Sequence, residues 1–198
     1  DVLGSRGLGD VYKRQSLDMP EKTAVCILAD KEEIGSVGIS GMQSHYFEHF
    51  MEGLCDAQGV KLSDCFANSF CLSADVSNAF DPNWPETCDK RNNSQLNYGV
   101  AICKYTGSRG KGGASDASAE AMGHVRSTLD KAGVIWQIAT LGKVDQGGGG
   151  TVAAYMANRN IVTVDAGVPV LSMHAPLELV SKLDCYETML ACKAIYLA

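Results

Sequence analysis

Short apolar runs alternate with amphipathic stretches along this chain. Thr23–Ala29 is a continuous apolar run of the kind that fills a central sheet position, and it predicts the first strand. Between Ser40 and Ala57 the apolar positions Met42, Tyr46, Phe50, Met51 and Leu54 follow helical spacing, and Gly59 closes the helix. Lys61–Cys65 reads as a connector. Asn68–Asp75 predicts a second strand that ends in an acid, and residues 83–98 read as a long loop. Tyr98–Tyr105 predicts a third strand. Gly107–Gly113 is a basic, glycine-rich connector.

The second half repeats the alternation. Ser115 or Asp116 is placed to cap a helix that runs to Ala132, with Ala117, Ala121, Met122, Val125 and Leu129 on one face and Gly133 after its end. Val134–Thr140 predicts a strand, the run Gly147–Gly150 a close backbone approach, and Thr151–Asn158 a helix. Ile161–Asp165 predicts another strand, and a last helix covers Glu178–Tyr196. Strands alternating with helices predict an α/β fold, with helices flanking a mostly parallel central sheet.

Composition narrows the function classes. The chain has 198 residues, 45% hydrophobic and 20% charged, which is ordinary for a folded globular chain with one sizeable core. A net charge of −6 and the lack of a basic stripe argue against a nucleic-acid partner. No apolar run approaches the roughly 20 residues of a membrane span, so no membrane partner is expected. The eight cysteines form no C-x-x-C pair and sit mostly in apolar segments, so they read as free thiols in a reducing, cytoplasmic setting. Residues 1–15 lack helical or strand periodicity and resemble translated adapter sequence; residues 16–198 read as the folded part.

The candidate chemistry lies in Lys31-Glu32-Glu33-Ile34-Gly35-Ser36, directly after the first apolar run. Adjacent carboxylates at a strand end are costly to desolvate unless a cation or a reacting proton offsets the charge. An exposed turn making surface ion pairs is the plainer alternative. Asp75 and His174 also fall at or beyond predicted strand ends, so Glu32, Glu33, Asp75 and His174 are expected to converge on one sheet edge. Carboxylates and imidazole are a ligand set for catalytic zinc, and a free carboxylate beside them suits a general base. His45 and His49, four apart on a helix, are read as surface or packing residues.

Asp30–Ser36, Ser73-Ala-Asp75 and Asp165–His174 together resemble the motifs of the aspartyl aminopeptidase family, metallopeptidase family eighteen, in its bacterial branch. The resemblance implies a zinc-exopeptidase-like fold and a cytoplasmic enzyme that removes N-terminal residues from peptide substrates. It implies two zinc ions, with cobalt or manganese as alternatives, and assembly into a homo-oligomer at full length. Glu32 matches the general base, Glu33 the adjacent zinc ligand, Asp75 a ligand of the other zinc, and His174 the ligand that shares a zinc with Glu33. Lys104 falls in a substrate-binding segment, and Gly149 lies in a run that lines the substrate pocket. Members of the family carry a further His ligand, a bridging Asp and an inserted assembly domain upstream of the Glu-Glu motif. Upstream of Thr23 this chain offers only Asp1, Asp10 and Asp18, with no His. The expectation is therefore a C-terminal part of the catalytic domain, incomplete at its N-terminus and inactive alone. A non-catalytic α/β binding or assembly module is the alternative.

Overall fold

The computed structural model describes residues 22–143 and 145–198, so the adapter-like tail lies outside the described residues. The chain order is α1 (Tyr46–Gln58), α2 (Leu62–Ala67), β1 (Phe70–Asn78), β2 (Val100–Cys103), β3 (Tyr105–Ser108), β4 (Gly112–Asp116), α3 (Ala119–Ala132), β5 (Trp136–Ile138), α4 (Ala153–Ala157), β6 (Val162–Leu171), β7 (Leu179–Val180) and α5 (Lys182–Tyr196). The main sheet runs β1-β6-β2-β5, with β7 added to β6, and β3-β4 form a separate hairpin. β1 pairs in parallel with β6 from Phe70↔Val162 to Asn78↔Val170, and β2 pairs in parallel with β5. The two parallel pairs meet where β2 runs antiparallel to β6, and β7 is also antiparallel. Parallel pairing carries most of the ladder.

Alternation along the strands feeds apolar side chains to both faces. Val100 and Ile102 of β2, with Val164 and Ala166 of β6, pack against Ala121, Met122, Val125 and Leu129 of α3 and Ala191 of α5. Ala101 and Cys103 form a separate small cluster with Ala139. A further core joins Phe47 and Met51 of α1, Phe66 of α2 and Met156 of α4. Helices thus flank the sheet as expected.

Local signals account for most of the helix ends. Gly59 and Gly133 adopt the left-handed conformation (φ 67° and 69°) and donate their N–H groups to the last carbonyls of α1 and α3. Ser118, rather than Ser115 or Asp116, caps α3, accepting the Ala121 N–H at 3.1 Å. The two earlier residues end β4 instead. α5 buries an acidic stripe. Asp184 accepts the N–H groups of Asn97 and Gly99, both at 2.8 Å, and Glu187 accepts that of Ile135 at 2.8 Å. These carboxylates fasten the turns that lead into β2 and β5.

Three expectations need correction. Thr23–Ala29 is not a strand. A strand requires a ladder partner, and this run finds none among the described residues, so Ile27 and Leu28 remain exposed. Val25 alone joins the α1 core, and its carbonyl accepts the Tyr196 O–H at 2.9 Å. Lys61–Cys65 is mostly helix α2. Gly107–Gly113 is largely the β3-β4 hairpin, whose residues bond one another across the turn.

Candidate metal centre

The Glu-Glu pair sits on a single 3₁₀ turn, Glu32–Ile34, not at a strand end. Lys31 (φ 63°) and Ser36 (φ 56°) flank it in the left-handed region, a strained choice for residues with side chains. The turn is held from both sides. Ser36 N–H donates to Lys31 O at 2.7 Å, and Gln43 Nε2 and Tyr155 O–H donate to Gly35 O at 2.7 and 3.2 Å. Gly41 lies so close that a Cβ there would stand 2.2 Å from Ser36 O.

Asp75 is within β1 rather than at its end, opposite Gly167 of β6. Its own Oδ1 accepts the Val76 N–H at 2.7 Å. His174 lies three residues beyond β6 and is itself left-handed (φ 65°), as is Ser172 (φ 60°). Its N–H donates to Glu178 Oε1 at 2.5 Å. This bend brings His174 Nδ1 to 3.4 Å from Glu33 Oε2.

The four groups form one electrostatic cluster. Burial pushes the Glu32 carboxyl above its usual range, the Asp75 and Glu33 charges push it further, and His174 opposes them. Burial likewise raises Asp75, against the pull of the Val76 N–H, with Glu33 adding to the rise and His174 opposing it. Behind them Asp165 is pushed up to about 7, chiefly by burial.

Among the described residues, no three His, Cys, Asp or Glu side chains approach closely enough to enclose a metal ion. The Glu33–His174 pair nonetheless fits two ligands of one cation. Metal–ligand bonds of about 2.0–2.1 Å at a tetrahedral zinc put neighbouring donors about 3.3 Å apart. A cation would also relieve the crowding of carboxylates that raises Glu32 and Asp75.

Lys104 and Gly149, expected on the substrate side, are engaged by other partners. Lys104 is exposed at the turn from β2 into β3, and its ammonium is bonded to Asp116. Gly149 O accepts the Gly107 N–H at 2.9 Å, and Gly147 O accepts the Arg109 N–H at 2.8 Å, so the glycine run lies along β3. His45 pairs with Glu48, which also receives Arg159 Nε at 2.7 Å, in keeping with a surface role.

Sequence reasoning assigned no role to Asp165, Ser73 or Thr151. The available signal was an acid inside the apolar run Ile161–Val170, because a buried carboxylate needs donors. Tyr155 and Gln43, which hold the Glu-Glu turn, carried no local signal.

A family model described as aminopeptidase I zinc metalloprotease (M18) matches residues 4–196. The chain belongs to the M18 aminopeptidase family. It is 51% identical over 172 residues to a probable M18 family aminopeptidase 1 of Clostridium acetobutylicum, covering 85% of this chain and 37% of that protein. The counterpart in Borreliella burgdorferi is 45% identical over 185 residues, 90% of this chain and 40% of that protein. The crystal structure of the M18 aminopeptidase from Thermotoga maritima superposes with a TM-score of 0.88 at 41% identity, over 96% of this chain and 44% of that one. The chain spans about two fifths of the length of these relatives.

Proposed function

We propose that this chain is the part of a zinc-dependent M18 aminopeptidase that carries the general base and several of the metal ligands. The observation that supports this reading best is the 3.4 Å approach of Glu33 to His174 beside the half-buried Glu32. Glu33 and His174 would hold one zinc and Asp75 the other, with cobalt or manganese acceptable to the same donors. Bound zinc polarises a carbonyl and lowers the pKa of water.

The residues of this chain do the rest. The Glu32 carboxylate accepts the proton of the attacking water. The same carboxyl then delivers that proton to the leaving amine. The 3₁₀ turn, fixed through Gly35 O by Gln43 and Tyr155, keeps that carboxylate pointed while the charge moves. The glycine run and Lys104 border the peptide substrate. With its ammonium already bonded to Asp116, Lys104 has less positive charge to offer an acidic side chain.

The 198-residue chain alone is expected to turn over little, because its described residues bring only two candidate ligands into contact. The full-length protein is read as a homo-oligomer, and the eight free cysteines support a reducing, cytoplasmic location. Glu32→Gln in the full-length enzyme is the test. It should lower kcat on aminoacyl anilides by about a thousandfold or more, with bound zinc unchanged. Turnover near the parent's would show that Glu32 is not the base and would leave this part of the enzyme a binding or assembly module.

A further inference from the structure

Asp165 is 5% exposed, in the middle of β6, and none of the roles above uses it. Its Oδ1 accepts two hydroxyls, Ser73 Oγ at 2.6 Å and Thr151 Oγ1 at 3.1 Å. The donors come from segments far apart in sequence. Ser73 lies on β1, two residues before Asp75. Thr151 directly follows the run Gly147–Gly150. Its oxygen also accepts the Ala153 N–H at 3.3 Å, at the start of α4. That helix carries Tyr155, whose hydroxyl reaches Gly35 in the Glu32–Glu33 turn.

A run of four glycines has no side chains to pack and loses more conformational entropy on ordering than any other sequence. It keeps one position only if its ends are fastened. Its Gly147 and Gly149 carbonyls are held by the bonds from Arg109 and Gly107 of the β3-β4 hairpin. The other end is held by Thr151. A carboxylate buried among hydroxyls is a costly fastening. Burial, with the Asp75 and Glu32 charges adding to it, pushes its pKa up, and an apolar residue there would suit the core better.

We propose that Asp165 is a positioning residue that sets the glycine-rich wall of the substrate pocket against the strand bearing Asp75, through Thr151 on one side and Ser73 on the other. This rests on the reading above, in which that run borders the substrate and Asp75 binds metal. Asp165 acts as a shared acceptor, and that role needs an oxygen at Oδ1 rather than a charge.

The test uses three variants of the full-length enzyme. Thr151→Val removes one arm at nearly constant shape, Asp165→Ala removes both, and Asp165→Asn keeps the accepting oxygen. Thr151→Val should raise KM for an aminoacyl anilide about fivefold or more and change kcat by less than about threefold, with zinc content unchanged. Hydrogen exchange at the Gly107 and Arg109 amides, which donate to the carbonyls of the glycine run, should quicken by about tenfold. Asp165→Ala should speed that exchange at least as much, and Asp165→Asn should stay within about threefold of the parent in KM and exchange. Parent-like KM and exchange in Thr151→Val would overturn the proposal. So would Asp165→Asn proving as damaging as Asp165→Ala. Should Asp165→Ala not fold, Thr151→Val and Asp165→Asn decide. Should Glu32→Gln retain turnover, the general-base reading of Glu32 fails separately, and the exchange data still decide whether Asp165 fastens the loop.

Discussion

Asp184→Ala is expected to cost about 3 kcal/mol of stability without touching the metal centre. Asp184 is fully buried on α5 and accepts two backbone N–H groups at 2.8 Å. The two donors differ. Gly99 is buried, so its N–H would be left without a partner, at about 1–3 kcal/mol. Asn97 is exposed, so water replaces the lost acceptor and the loss is about 0.5–1.5 kcal/mol. The turn itself cannot shift to compensate. Gly99 is left-handed (φ 83°), and a Cβ there would stand 2.0 Å from Ile135 O, so β2 and β5 are pressed together at this point. Equilibrium urea unfolding followed by the fluorescence of Trp136, which is next to Ile135, measures the change. A lower midpoint with an unchanged slope is the expected form. Glu187→Ala, which removes a single bond to Ile135, should cost about half as much. A loss below about 1 kcal/mol for Asp184→Ala would refute the clamp.

Two more outcomes follow from the packing and the charges. Gly41→Ala drives a methyl group against Ser36 O and should destabilise by about 1–3 kcal/mol, with a disproportionate loss of turnover because the Glu32–Glu33 turn must move; thermal melting and kcat on one sample check it. Asp165 has a folded pKa of about 7 against about 3.9 unfolded, so the folded state binds the extra proton between those values. Its contribution is therefore fully present below about pH 4 and is lost as pH rises through 7, by up to about 4 kcal/mol. Asp165→Asn should flatten the fall in stability across that window, and an unchanged pH profile by urea unfolding would contradict the assignment.

What could be read from the residues was what neighbours in sequence decide. Helical spacing with Gly59 and Gly133 placed the C-terminal ends of α1 and α3, because caps are local, while α1 begins at Tyr46, six residues later than Ser40. The Glu-Glu pair, Asp75 and His174 were legible as a set, and Glu33 does approach His174. Partners distant in sequence could not be read. Thr23–Ala29 has the composition of a buried strand, but its state depends on a ladder partner that no local pattern specifies. The clamp of Asp184 on Gly99 joins residues 85 apart, and the Ser73–Asp165 bond joins residues 92 apart. The geometry of His174 likewise depends on left-handed backbone at Ser172 and His174, which neither residue type announces.

Glu33 and His174 are proposed to hold the same zinc. The most direct measurement is elemental analysis of zinc per chain in the full-length enzyme and in Glu33→Ala, His174→Ala and the double variant. Each single variant should lose the same one ion, and the double variant should lose no more than either alone. Full zinc content in both single variants, or additive losses in the double variant, would show that the two side chains do not share a metal.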